Sequence, residues 1–172
     1  MAKRMLTLIV LVAVVLPVSA QPKQSIQGVW RVVEITITDS PAGRRDPLGA
    51  FPAGTHTNFQ PELVIFTGRH FSRTTDTAAK PRPTPYKTPG KPTLEELQAE
   101  WGPFVANAGT YEVSGTTVTL HAIVAKSPRA QAEKNFTKLT FKLDGNNLWL
   151  TPVETEAGQI PNPVVSKYVR IE

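Results

Sequence analysis

Cysteine is absent from this chain, so no disulfide can form and no thiolate is available to bind a metal. Histidine is scarce. His56, His70 and His121 stand far apart, and no His-Glu-x-x-His pair occurs, which leaves a zinc centre without a local scaffold. A Gly-x-Ser-x-Gly elbow, a phosphate-cradling glycine loop and a Gly-x-Gly-x-x-Gly turn are all missing, so the sequence implies no cofactor. The basic residues form no helical stripe and are not interleaved with aromatics, which speaks against a nucleic-acid groove.

Long apolar runs are also rare, and the one present lies at the N-terminus. Lys3 and Arg4 precede an apolar stretch from Leu6 to Pro17, and Val18-Ser19-Ala20 close it. This is the pattern of a removable signal peptide over residues 1–20. The apolar run is shorter than the roughly 20 residues a membrane-spanning helix needs. Cleavage after Ala20 removes two positive charges and lowers the formal charge from +5 to +3. With no cysteine to carry a lipid, the mature protein is expected in the periplasm or outside the cell, not integral to a membrane. Residues 21–172 suit one domain, and without disulfides that domain must be held by its core alone.

What the mature chain does contain is a series of short segments rich in Val, Ile, Thr, Phe and Tyr, broken by turn chemistry. Eight strands are predicted, over 29–38, 62–67, 69–75, 109–113, 116–125, 136–143, 147–153 and 164–171. Thr67-Gly68-Arg69, Ser114-Gly115 and Asp144-Gly145-Asn146 supply tight hairpin turns. Successive hairpins make an antiparallel up-and-down meander, and eight such strands can close into a barrel with room for side chains or one small ligand. The fold class expected is therefore all-β, an eight-stranded barrel.

Two irregular connections interrupt the meander, and either can form a barrel mouth. The first, Asp39 to Pro61, contains four prolines with Phe51 and Phe59 among them. The second, Lys80 to Pro92, is basic and proline-rich, hence stiff and extended. It reads as a solvated connection or as a proline-rich partner segment. One short helix follows, because Thr93-Leu94-Glu95-Glu96 has the capping-box spacing and Gly102-Pro103 stops it. Leu94, Leu97 and Trp101 form an apolar stripe expected to pack on the barrel.

Gly28-Val29-Trp30 opens the first strand, Gly109-Thr110-Tyr111-Glu112-Val113 forms a later one, His121 lies in the strand after it, and Arg170 lies near the C-terminus. In this order the motifs resemble those of bacterial lipocalin-like domains. The resemblance implies an up-and-down barrel with Trp30 at its closed end, Arg170 stacked over the indole, and an open end that can hold a small apolar ligand. It implies no single activity.

Five residues are candidates for a ligand site. His121 can exchange a proton near neutral pH, but it shares a strand face with Thr117 and Thr119, opposite Val118 and Leu120. If the apolar face is the inner one, His121 is solvated; if the interior is polar, it faces a ligand. Glu34 has the parity of Trp30 and Val32 and points inward unless a bulge resets the strand. Tyr111 offers a hydroxyl. Arg73, on the same parity as Phe71, can meet a ligand carboxylate bidentately or stand on the surface.

The function expected is binding of a small hydrophobic or amphipathic molecule in the barrel. Two alternatives stand beside it: a cyclase- or isomerase-type enzyme using His121 and Glu34, and an envelope interaction module with a filled barrel. A solid core with His121 outside favours interaction, an empty apolar cavity favours carriage, and a cavity with a buried histidine pair favours catalysis.

Overall fold

A computed structural model describes residues 25–38, 53–57, 60–78, 81–82 and 87–172. The segment 1–20 expected to be a signal peptide, Phe51 and Phe59 of the first long connection, and Pro83 to Tyr86 of the second lie outside the described residues. The described elements are β1 (Gly28–Ile37), β2 (Gly54–His56), β3 (Glu62–Phe66), β4 (His70–Asp76), α1 (Leu94–Trp101), β5 (Phe104–Ser114), β6 (Thr117–Ala125), a single 3-10 turn (Pro128–Gln131), β7 (Thr137–Asp144), β8 (Asn147–Thr155), β9 (Gly158–Gln159) and β10 (Val165–Arg170).

Each long strand pairs antiparallel with the next, in the order β1-β3-β4-β5-β6-β7-β8-β10, and β10 returns to β1. The result is a closed eight-stranded up-and-down barrel with one short helix, the architecture expected from the hairpin pattern. Short β2 and β9 pair with the C-terminal ends of β1 and β8. They are too brief to carry the alternation by which a strand is legible in sequence.

The two ends differ in chain length between strands. Tight turns at 67–69, 115–116 and 145–146 join β3 to β4, β5 to β6 and β7 to β8 at one end. The strand ends Ile37 and Glu62, Asp76 and Phe104, Ala125 and Thr137, and Thr155 and Val165, which are joined by longer stretches of chain, lie at the other. The tight-turn end is closed by the N-terminal segment. Trp30 is fully buried there, its indole N–H donating to the Ile26 carbonyl at 2.7 Å. The Arg170 guanidinium lies 4.1 Å from the indole centroid and donates to the carbonyls of Gln27 and Ser25. Trp30, Val64, Phe66, Phe71, Val118 and Leu148 belong to one buried cluster, with Tyr111 packed against it.

A bulge in β1 between Val32 and Glu34 changes which residues face inward. Before it, Trp30 and Val32 are buried; after it, Ile35 and Ile37 are. Glu34 is therefore on the outer face, opposite Lys167 of β10 in the ladder. The inward orientation that parity alone gives Glu34 fails because one extra residue resets the alternation.

α1 has the predicted capping box, with Thr93 Oγ1 accepting from the Glu96 amide at 3.2 Å and a Glu96 carboxylate oxygen accepting from the Thr93 amide at 2.8 Å. These contacts, with a further one from the Lys87 amide, hold the Glu96 carboxyl below its ordinary range. The apolar stripe does not bury, however: no residue of α1 is buried, and Leu94 is 71% exposed. Polar anchors hold the helix instead. Lys126, directly after β6, donates to carbonyls of Trp101, Gly102 and Phe104 at its C-terminal end, where a cation complements the helix dipole. Arg82 ties Asp76 to the Glu100 carbonyl.

Candidate functional site

The interior of the barrel divides into a solid half and a hollow half. Toward the open end, inward-facing residues enclose a cavity of about 240 Å³. Ile35, Val105, Leu139, Leu150, Pro152 and Val164 give it an apolar wall, and Glu62, Arg73, Thr75, Thr77, Ser166 and Tyr168 bring polar groups into it. Helix α1 contributes nothing to this lining.

Most of the polar groups come from the paired strands β3 and β4 and from β10, on the far side of β1. Glu62 begins β3 with the inward parity of Val64 and Phe66; Arg73 has the inward parity of Phe71 and Thr75 on β4; Ser166 and Tyr168 alternate inward on β10. Glu62 is 5% exposed, which makes it a buried carboxylate that requires a partner. Arg73 supplies one side-on, with Nε donating to Oε1 at 2.8 Å and Nη2 to Oε2 at 3.2 Å. The Tyr168 hydroxyl donates to the same Oε1. The bidentate carboxylate anticipated for Arg73 is thus Glu62 of the chain itself.

The electrostatics follow from burial and from this pairing. The Glu62 carboxylate holds the Arg73 guanidinium protonated, well above its ordinary range. Burial, and then the neighbouring negative charge of Glu62, push the Tyr168 hydroxyl far above the usual tyrosine range, so it stays neutral. One polar atom in this wall is unsatisfied. Thr75, 4% exposed and directly opposite Glu62 in the ladder, has a buried Oγ1 with no hydrogen-bond partner.

Of the five residues singled out from sequence, the structure brings one, Arg73, into the cavity. Phe71 is buried in the solid half. Tyr111 stands at the closed end, where its hydroxyl donates to the Thr67 carbonyl at 2.6 Å and its ring meets Phe66 edge-on at 5.1 Å; burial raises its pKa. His121 lies opposite Thr110 on the outer face of β6, while Val118 and Leu120 take the inner face. Glu34 is also outside, past the bulge. The residues missed are Glu62, Thr75, Ser166 and Tyr168. The available signal was strand parity: Glu62 shares it with Val64 and Phe66, and Tyr168 shares it with Ser166.

A second depression of about 410 Å³ lies on the outer side of β4, β5 and β6, between Ser72, Thr74, Ala108 and Val124 of the sheet and Trp101 of α1. Among the described residues no group of three metal-ligating side chains comes together, and no helix is long and apolar enough to cross a membrane. No family model, curated protein or solved structure matches the chain.

Proposed function

We propose that this chain is an exported, lipocalin-like carrier that binds a small hydrophobic or amphipathic molecule inside its barrel. The observation that carries the reading is the hollow half of the interior. A side-chain core fills the closed end, yet about 240 Å³ remains open among inward-facing residues at the other. Mostly apolar walls with a few convergent polar groups are the common chemistry of small-molecule sites. The sequence pattern of residues 1–20 supports export, and the order of Gly28, Trp30, Tyr111, His121 and Arg170 supports the lipocalin-like assignment. The partner in this reading is a small molecule and not a nucleic acid.

The cavity holds no histidine, and His121 and Glu34 both stand on the outer face, out of reach of a bound molecule. Carriage is therefore favoured over catalysis through that pair. Native mass spectrometry of protein purified gently from its own cells tests the reading. A reproducible extra mass that disappears on denaturation is the expected result, and repeated bare mass together with failure to bind any apolar probe overturns it. Fractionation, with sequencing of a mature chain that begins at Gln21, tests export separately.

A further inference from the structure

We propose that the ligand of this barrel is an uncharged amphiphile whose head group accepts hydrogen bonds, a primary amide or a ketone rather than a carboxylate, seated on Arg73 and Thr75. The inference rests on the carrier reading and specifies its ligand.

Charge decides the first half of the argument. Glu62 and Arg73 are the charged side chains of the cavity wall, and they neutralise each other at 2.8 and 3.2 Å. Arginine is the usual receptor for carboxylates, but here the side-on edge of the guanidinium is occupied. A ligand carboxylate bound to Arg73 would leave one uncompensated negative charge in a mostly apolar cavity beside Glu62, which is costly. A ligand ammonium would meet the guanidinium instead. A neutral molecule incurs neither cost.

Hydrogen-bond inventory decides the second half. A guanidinium has five N–H donors, of which Glu62 takes two, and the Nη1 end has no partner among the described residues. Arg73 is 32% exposed while its partner Glu62 is almost fully buried, so the guanidinium is the accessible member of the pair. Acceptors are more fully used, because Glu62 Oε1 already takes both Arg73 Nε and the Tyr168 hydroxyl. The vacant polar atom, Thr75 Oγ1, can both donate and accept. A carbonyl oxygen satisfies Arg73, and the N–H of a primary amide also satisfies Thr75. At roughly 30 Å³ per water the cavity equals about eight waters. The apolar body of the ligand is correspondingly short, and it lies against Leu139, Leu150, Pro152 and Val164.

The test compares octanamide, octanoate, octylamine and toluene at pH 7.5 on the full mature protein. Isothermal calorimetry gives affinities, and the methyl NMR resonances of Leu139, Leu150 and Val164 report occupancy of the cavity. Octanamide is expected to bind at least tenfold more tightly than octanoate or octylamine. Thr75→Val should weaken octanamide several-fold and leave toluene unchanged. Glu62→Gln keeps an oxygen for Tyr168 but leaves Arg73 unneutralised, and it should reverse the order so that octanoate binds best. Octanoate binding as tightly as octanamide, or an order unchanged by Glu62→Gln in a protein with native circular dichroism, overturns the proposal. If toluene shifts the cavity methyls but octanamide has no advantage over octanoate, the ligand class is wrong and carriage stands. If no probe shifts them, both fall.

Discussion

The Arg170 guanidinium stacks on Trp30 and also donates to the carbonyls of Gln27 and Ser25, so one side chain joins the last strand to the segment that closes the barrel. Arg170→Met keeps the apolar stem and removes the charge and the donors. It should lower unfolding free energy by about 1–3 kcal/mol, the sum of a cation–π contact and partly exposed hydrogen bonds, read from denaturant midpoints. Trp30→Ala, which empties a fully buried site, should cost about 3–5 kcal/mol. Tyr168 makes a pH prediction. Its folded pKa lies above the ordinary value near 10, so the native state retains a proton that the unfolded state loses. That contribution is complete below about pH 10 and is lost as pH rises toward the folded pKa. Stability should fall more steeply above pH 10 in the wild type than in Tyr168→Phe, and the last tyrosine to ionise in an ultraviolet titration should vanish in the variant. None of this was visible in Tyr168 alone. Its importance comes from Glu62 and Arg73, on strands far away in sequence, and only closure of the barrel brings the three together.

Hairpins, helix and bulge mark what an element does and does not reveal in sequence. The eight barrel strands are legible because one buried face imposes alternation and glycine-bearing turns punctuate it. β5 is the exception in length: it begins at Phe104 rather than 109, because small residues such as Ala106 and Ala108 carry little strand signal. The bulge in β1 is not legible, since neither Val33 nor Glu34 is a residue type that announces one, and it sends Glu34 outward. α1 is legible in its ends and misleading in its face. Thr93 and Glu96 fix its start, but its stripe lies uncovered because Lys126 and Arg82 hold the helix by its end and its flank. Thr93→Ala should therefore loosen α1 alone. Hydrogen exchange of the first-turn amides should accelerate while the global melting midpoint stays unchanged, because no buried residue belongs to this helix.

Closure is a property of the whole barrel, and β10 carries it. This strand pairs with β1 on one side and with β8 on the other, so it converts two sheet edges into none. The C-terminal residues extend the seam, with the Val29 amide donating to the Glu172 carbonyl at 3.0 Å and the Ile171 amide to the Val29 carbonyl at 2.8 Å. β10 also brings Tyr168 and Ser166 to the buried face. A chain ending at Pro163 loses the seam, the arginine over Trp30 and the hydroxyl on Glu62 together. It leaves β1 and β8 with unpaired edges and apolar inner faces, and no disulfide restrains them. Such a chain should associate rather than persist as an open monomer. Size-exclusion chromatography with light scattering checks this, the expected result being soluble aggregates or precipitate in place of a monomer peak. Adding residues 164–172 back as a separate peptide should restore a 1:1 complex with native near-ultraviolet circular dichroism, because strand pairing on both sides gives the peptide two edges to fill. A monomeric truncated chain that keeps the native spectrum without the peptide would place the stability of the fold in its core alone and make closure secondary.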